Sequence, residues 1–453
     1  MSDVSLFNFF LHRPRAKKPY ACIPMGVLYL SAALEEAGYA VDLHDYQVDA
    51  AGNPYAPEAV SAFFGQARSD LVGISCMANM LPFLVLGLRR FKRERPGVFV
   101  VLGGAGPSGL ANEILERVLE VDAVVSGEGE EALVEIVEAR RGLRAWDSIR
   151  GLVWRKGGAV FRNPPRPRRR DIESLPWPAY HLIEHKHYIG YPILTARGCP
   201  YRCTFCDISP NADHRVSTRS IDDVLDEIDM LQRRFGAKDI TILDDTFVLS
   251  RPRVVEFCSR LRERGMQFTW ASMCRADRLD DELMDLMASA GCQRIFLGIE
   301  SGSERVREIA GKGLRITNVD AMIDKTTRRF DVAASFILGF PFESMDEFRE
   351  TLWLSIYCLS KGAHPQMCVL SPLPQAELTR SGQYRTTFSR DVISGMAFPR
   401  HSEKSERFLL EALSPEIEDM ILGDPKIFSA FYHFADGQVR EKLELARKYG
   451  LMA

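Results

Sequence analysis

The sequence carries no excess of charge of either sign. Its 58 Lys and Arg stand against 61 Asp and Glu, a formal net charge of -3 over 453 residues, so nothing global favours a polyanionic partner. A basic, aromatic nucleic-acid module is missing as well, and the run Arg166-Pro167-Arg168-Arg169-Arg170 reads as a solvated linker. Long apolar runs are also absent. Ser2-Asp3-Val4-Ser5 leads into a stretch that soon meets His12 and Arg13, too short for a signal peptide or a membrane span. A cytoplasmic chain is the expectation. Cysteine lacks pattern more than number. Ten are present and seven of them are scattered singly, and a chain of this length needs no disulfide staples to fold. One group alone has the spacing of metal ligands.

What is present is alternation. Residues 4–10, 41–43, 71–74, 98–102 and 121–125 read as apolar strands, with amphipathic helices at 26–37 and 110–119. Continuous apolar strands separated by helices predict a five-stranded parallel sheet covered on both faces, with ligands beyond the strands' carboxyl ends. Residues 151–162 read as a hairpin turning at Gly157-Gly158, and the Pro- and Arg-rich stretch 163–178 as a bridge. A second alternating region follows. Its strands are expected at 192–196, 239–243, 267–272, 293–298, 332–338 and 366–371, and its helices at 220–235, 250–264, 279–290, 303–309, 317–329 and 344–360. Six βα units predict a partial barrel. Helices are expected again at 403–412 and 437–448. The resulting domains are 1–145, a hairpin and linker at 146–189, a barrel at 190–375, and a helical region at 376–453.

The segment Ala196-Arg197-Gly198-Cys199-Pro200-Tyr201-Arg202-Cys203-Thr204-Phe205-Cys206-Asp207 carries the chemistry. Thiolates are soft ligands that suit iron–sulfur clusters or zinc. Gaps of three and two residues let one loop wrap three corners of a cubane and leave the fourth iron open to an amine and a carboxylate. Gly198 lets backbone approach closely. The alternative is a structural zinc site, which wants four closed ligands. His181, His185 and His187 lie near in sequence, but their spacing to the cysteines fits no zinc pattern.

Across roughly 190–375 the chain resembles the radical S-adenosylmethionine (SAM) superfamily, whose cluster motif has these two gaps. The resemblance implies a [4Fe-4S] cluster on Cys199, Cys203 and Cys206, with SAM on the open iron. It places Phe205 near the adenine, Asp244 and Asp245 after the second barrel strand near the SAM amino end, and Glu300 with Ser301 at the ribose. It sets Gly339, in Ile337-Leu338-Gly339-Phe340-Pro341, at the adenine border. Arg275, after the third strand, is expected to contact SAM, counter a carboxylate or lie at the surface. The implied reaction begins with an electron from a low-potential donor such as flavodoxin or ferredoxin. SAM cleavage then gives methionine and a 5′-deoxyadenosyl radical, which removes hydrogen from an unactivated carbon.

The first 140 residues resemble the cobalamin-binding domain that precedes this barrel in one subclass. The resemblance rests on Pro24-Met25-Gly26, Ile74-Ser75, Gly103-Gly104 and Gly127-Glu128-Gly129-Glu130. It implies a doubly wound α/β fold and makes Ser75, Gly103, Gly104 and Gly127 the cobalamin candidates. Two features depart from the family. The Asp-x-His-x-x-Gly signature is absent from the first strand–helix loop, where His12 has no matching context, and Ala105-Gly106 stands where many relatives carry histidine. A rival motif overlaps: Gly104-Ala105-Gly106-Pro107-Ser108-Gly109 satisfies the dinucleotide fingerprint, with Glu128 after the next strand. Cobalamin beside the barrel implies methyl transfer to carbon or phosphorus, with an unactivated carbon of a small molecule as the expected acceptor. Radical cyclisation, rearrangement or oxidation is the alternative, and a non-catalytic cofactor-binding or regulatory protein is another.

Overall fold

A computed structural model of the chain describes residues 2–11, 21–50, 53–208, 214–314, 318–392 and 412–452. His12 and nearly all of the helix expected at 403–412 lie outside the described residues. The chain forms two units: residues 1–169, 174–189 and 404–431 in the first, and 170–173, 190–403 and 432–453 in the second. The segment 376–453, expected as one region, is therefore divided. Its helix Pro415–Gly423 belongs to the first unit and its helix Val439–Lys448 to the second.

In the first unit, strands β1 (Val4–Phe9), β2 (Val41–Asp45), β3 (Leu71–Cys76), β4 (Phe99–Gly103) and β5 (Ala123–Val125) run parallel in the order β2-β1-β3-β4-β5. β1 shows why both faces are covered. Val4 and Leu6 pack with Leu133, Ile136 and Val137 of the helix Glu130–Arg140. Phe7 and Phe9, on the opposite pleat, meet Phe63, Phe64 and Tyr46. A strand with two apolar faces has to be central. The expected hairpin forms as β6 (Leu152–Lys156) and β7 (Ala159–Arg162), and it joins β5 antiparallel. The sheet thus has seven strands where five were expected. β7, mostly exposed, is the edge.

Strand order reverses between β1 and β3, and in such sheets the crevice at the carboxyl ends of those strands receives the ligand. Asp45, Asn8, Ser75 and Gly103 stand there in cross-strand register. Asp45 is buried and accepts from Asn8 Nδ2 (2.8 Å), Tyr188 Oη (2.9 Å) and the Gln47 N–H (3.1 Å). The Gln47 side-chain amide in turn bonds both the N–H and the carbonyl of Cys22 (3.1 and 2.8 Å). The connection leaving β1 is therefore fixed at its return.

The second unit is an open barrel. β8 (Tyr191–Ile193) is followed by the two-residue strands β9 (Ala196–Arg197) and β10 (Ser217–Thr218), which pair antiparallel with each other. β11 (Asp239–Ile242), β12 (Thr269–Cys274), β13 (Cys292–Glu300), β14 (Asp331–Leu338) and β15 (His364–Val369) complete a parallel sheet in the order β15-β14-β13-β12-β11-β8. Helices start where a capping side chain stands ready. Ser220, Asp280, Ser303, Asn318 and Ser344 each accept a backbone N–H from the first turn of the helix that follows. Four of these caps, Ser220, Asp280, Ser303 and Ser344, stand within a few residues of a strand's carboxyl end. That sets the loops in which the chemistry lies.

Burial pushes the Asp45 carboxyl up from 3.8 to about 6, against the pull of its donors. The folded state holds that proton more tightly than the unfolded chain does. The group's contribution is therefore full below its unfolded value and is lost as pH rises through the folded one. A shift of this size corresponds to about 3 kcal/mol. Urea unfolding at about pH 4 and about pH 7 should show wild type losing about 2 kcal/mol relative to Asp45→Asn; equal pH slopes would contradict the burial account.

Candidate active site

The cysteine loop leaves the barrel between β9 and β10, and many of the ties that hold its described residues come from other elements. Two neighbouring carboxylates after β11 supply the first. Asp244 is buried, and its carboxylate accepts the N–H of Thr195 (2.7 Å), the N–H of Ala196 (2.9 Å) and the Thr195 hydroxyl. Burial pushes its carboxyl up to about 6. Asp245 accepts the N–H of Gly198 at 2.8 Å, and Gly198 takes φ +94° immediately before the first cysteine. The structure thus gives Asp244 a bracing role: its oxygens are occupied by the backbone entering the loop.

Within the loop, Cys206 N–H bonds Cys203 O (3.1 Å), and the Ile208 N–H points at Cys206 Sγ (3.4 Å). Cys199 Sγ lies 3.9 Å from Thr246 Oγ1. The Thr204 N–H reaches Ala310 O at 2.9 Å, and Thr204 O receives the Leu378 N–H at 2.8 Å. The Arg275 guanidinium lies over the Tyr201 ring at 3.7 Å, while Arg278 Nε donates to Tyr201 Oη at 2.9 Å. Arg275 is itself buried, paired with Asp277 and donating to Lys312 O. The surface placement is overturned: Arg275 clamps the loop through Tyr201.

Glu300, at the end of β13, is buried with φ +71°, an uncommon conformation for a residue with a side chain. Its carboxylate accepts from Lys312 Nζ (2.7 Å) and from Ser335 Oγ (3.3 Å). Gly298 leaves the room, since a Cβ there would lie 2.6 Å from both Glu300 Oε1 and Lys312 Nζ. Lys312 had no sequence signal. It also faces Cys203, whose thiol burial pushes up while Lys312 and Arg275 pull it down. Ser301 is fully buried, with Oγ 3.0 Å from Thr351 Oγ1 and accepting the Ser303 N–H. It joins two helices. Phe205 packs edge-on to Phe340 (5.8 Å) in a cluster with Ile337 and Leu370. Gly339 takes φ +87° where β14 turns.

The donor set fits a cubane with an open iron: three half-buried thiols, a backbone N–H directed at one of them, and a polar Glu300–Lys312 pair beside another. Among the described residues no three His, Cys, Asp or Glu converge as they would around a single ion. A cubane sets its protein sulfurs further apart than one zinc ion does.

In the first unit, a Cβ on Gly103 or Gly127 would meet nothing within 4 Å. Both leave open space beyond the carboxyl ends of the strands. Gly104 and Gly106 have a different reason. A Cβ on Gly104 would lie 2.9 Å from Ser75 Oγ, and one on Gly106 2.6 Å from Ala78 N. These glycines let the β3 and β4 loops press together. The next helix opens only at Ala111, so the dinucleotide pattern does not deliver its glycines to a helix N-terminus. Ser75 Oγ is covered on that side by Gly104.

A profile of the radical SAM superfamily matches residues 193–354, and one of the B12 binding domain matches residues 15–137. The chain is 30% identical over 338 residues to an uncharacterized methyltransferase, PH0819, of Pyrococcus horikoshii, covering 73% of this chain and 72% of that protein. It is 28% identical to the anaerobic magnesium-protoporphyrin IX monomethyl ester cyclase of Cereibacter sphaeroides over 72% of this chain, and spans 55% of the cyclase's length. The solved structure of the radical S-adenosylmethionine methyltransferase TsrM from Kitasatospora setae matches with a TM-score of 0.68 at 18% identity, covering 99% of this chain and 89% of that one. At that identity the likeness is one of fold.

Asp244→Ala leaves two buried N–H groups without an acceptor and should lower the stability of the cluster-free protein by about 3 kcal/mol. Thermal unfolding checks this, because a residue that touched only SAM would leave the cluster-free protein unchanged.

Proposed function

The chain belongs to the radical SAM superfamily, in the branch that joins the barrel to a B12-binding domain, and we propose that it is a cobalamin-dependent methyltransferase acting on an unactivated carbon of a small molecule. The observation that carries this is the presence in one chain of a three-thiol loop in an open barrel and of a parallel sheet with unobstructed glycines at its strands' carboxyl ends. The methyltransferase names of PH0819 and TsrM support it.

The cofactors are a [4Fe-4S] cluster, SAM and cobalamin; when bound, they supply a one-electron reductant, a cleavable sulfonium and a methyl carrier. The chain supplies the placement. Cys199, Cys203 and Cys206 hold the cluster. Glu300, fixed by Lys312 and Ser335, offers its carboxylate to the ribose hydroxyls. Phe205 and Gly339 border the adenine, and the packed Phe340, Ile337 and Leu370 exclude water behind them. Asp244, Asp245 and Arg275 position the loop rather than the substrate. Gly103 and Gly127 admit the corrin, with Ser75 and Gly104 forming the wall beside it. The electron donor is a low-potential carrier of the flavodoxin or ferredoxin class, which sets the enzyme in the cytoplasm. Among the described residues no helix is long and apolar enough to cross a membrane.

A second reading is radical cyclisation, favoured by the likeness to the magnesium-protoporphyrin IX monomethyl ester cyclase. The two separate by product. Anaerobically reconstituted protein, freed of unbound cobalamin, should retain a corrin spectrum and turn SAM into S-adenosylhomocysteine as well as 5′-deoxyadenosine. A protein that cleaves SAM to 5′-deoxyadenosine alone and retains no corrin would overturn methyl transfer.

A further inference from the structure

The last helix of the second unit, Val439–Lys448, presses on the turn that follows β14. The turn is closed by a bond from the Glu343 N–H to Phe340 O at 3.0 Å. Lys442, whose side chain is fully buried, places its ammonium against three oxygens: the Glu343 carbonyl (2.8 Å), the Glu343 carboxylate (3.2 Å) and Asp436 Oδ2 (2.7 Å). One turn earlier on the same helix face, a Val439 methyl would lie 3.5 Å from a Cβ placed on Gly339. β16 (Thr386–Phe388) and β17 (Tyr432–Phe434) pair just before this helix, and Phe434 packs in the cluster that contains Phe340 and Phe205. The segment therefore touches both the turn and the aromatic of the cysteine loop.

This is a costly way to hold two elements together. Burial pushes the Glu343 carboxyl up to about 7 even with Lys442 beside it, and an apolar contact of the same volume would be at least as stable. What an ammonium with two directed bonds, to the Glu343 carbonyl and to Asp436, adds to the ion pair is orientation: it fixes the path of the main chain at Glu343, which packing of methyl groups would leave free to slide. Gly339, at the other end of the turn, is the adenine border in the proposed site.

The geometry points to Lys442 as a positioning residue for SAM: through Glu343 and Asp436 it fixes the turn Gly339–Glu343 against which the adenine lies. This rests on the reading of the barrel as the SAM site. No pairing of this kind follows from the cysteine motif, since Lys442 stands 99 residues beyond its partner.

The test uses the full chain, reconstituted anaerobically, with SAM binding read by equilibrium dialysis and cluster content by iron and sulfide analysis. Lys442→Met should keep its iron and bind SAM about tenfold more weakly or worse. The double variant Glu343→Gln/Lys442→Met, which leaves no buried charge unpaired at Glu343, should regain melting temperature but not SAM affinity. Arg440→Met, on the same helix but paired with exposed Asp391, should bind SAM as wild type does. Lys442→Met within about twofold of wild type would overturn the inference. So would SAM affinity that returns together with melting temperature in the double variant, or an equal loss in Arg440→Met. Wild type that loads its cluster yet binds no SAM would overturn the site reading itself, before any substitution is made.

Discussion

Three thiols must be held at the corners of one small body by a loop whose described residues lie mostly outside helix and strand. A backbone without regular structure must find other partners for its buried N–H and carbonyl groups, and in this protein those partners come from every side of the loop. Asp244 and Asp245 take the N–H groups at its entrance, Ala310 and Leu378 bind Thr204 in its middle, and Arg275 covers Tyr201. Arg219, buried at its exit, donates to Leu194 O and pairs with Asp223 and Glu227. A carboxylate used in this way is expensive to bury. The raised Asp244 carboxyl records that expense, and the barrel's shape around the loop depends on it.

The first unit solves a different problem with different residues. The proposed ligand there, a corrin, is broad and flat, and the carboxyl-end rim of a sheet that took one would need space rather than ligands. Gly103 and Gly127 leave that space by having no side chain, while Gly104 and Gly106 draw the β3 and β4 loops together beside it. Asp45, Asn8 and Gln47 stiffen the opposite side of the crevice by binding one another and Cys22. The glycines that read as one motif in the sequence thus divide into two that make room and two that close a gap.

Much of the fold was legible because it follows from local rules. Apolar strands with two buried faces, helices opened by Ser, Asp or Asn, and glycines at turns gave both parallel sheets and the barrel's six βα units. The edge of the first sheet was less so: whether a hairpin continues a sheet or stands apart depends on what Val153 and Trp154 find to bury against. The division of the C-terminal stretch between two units was not legible at all. Contacts between residues such as Lys442 and Glu343 lie far apart in sequence and leave no periodic trace.

The same division holds for the site. The cysteine spacing singled out Cys199, Cys203 and Cys206 as the candidate ligands, because one short loop with gaps of three and two residues can present three thiols to one body. The roles of the residues around it were decided only by the folded chain. Asp244 and Asp245 are adjacent and alike in sequence, yet one is spent on strand-end backbone and the other on Gly198. Ser301 and Glu300 are adjacent too, but the backbone turns at φ +71° between them and sends them to opposite surroundings. Lys312 became part of the site because a short helix returns it to Glu300. Candidate ligands can be read from spacing along the chain, whereas orientation, burial and partner are properties of the space into which the chain folds.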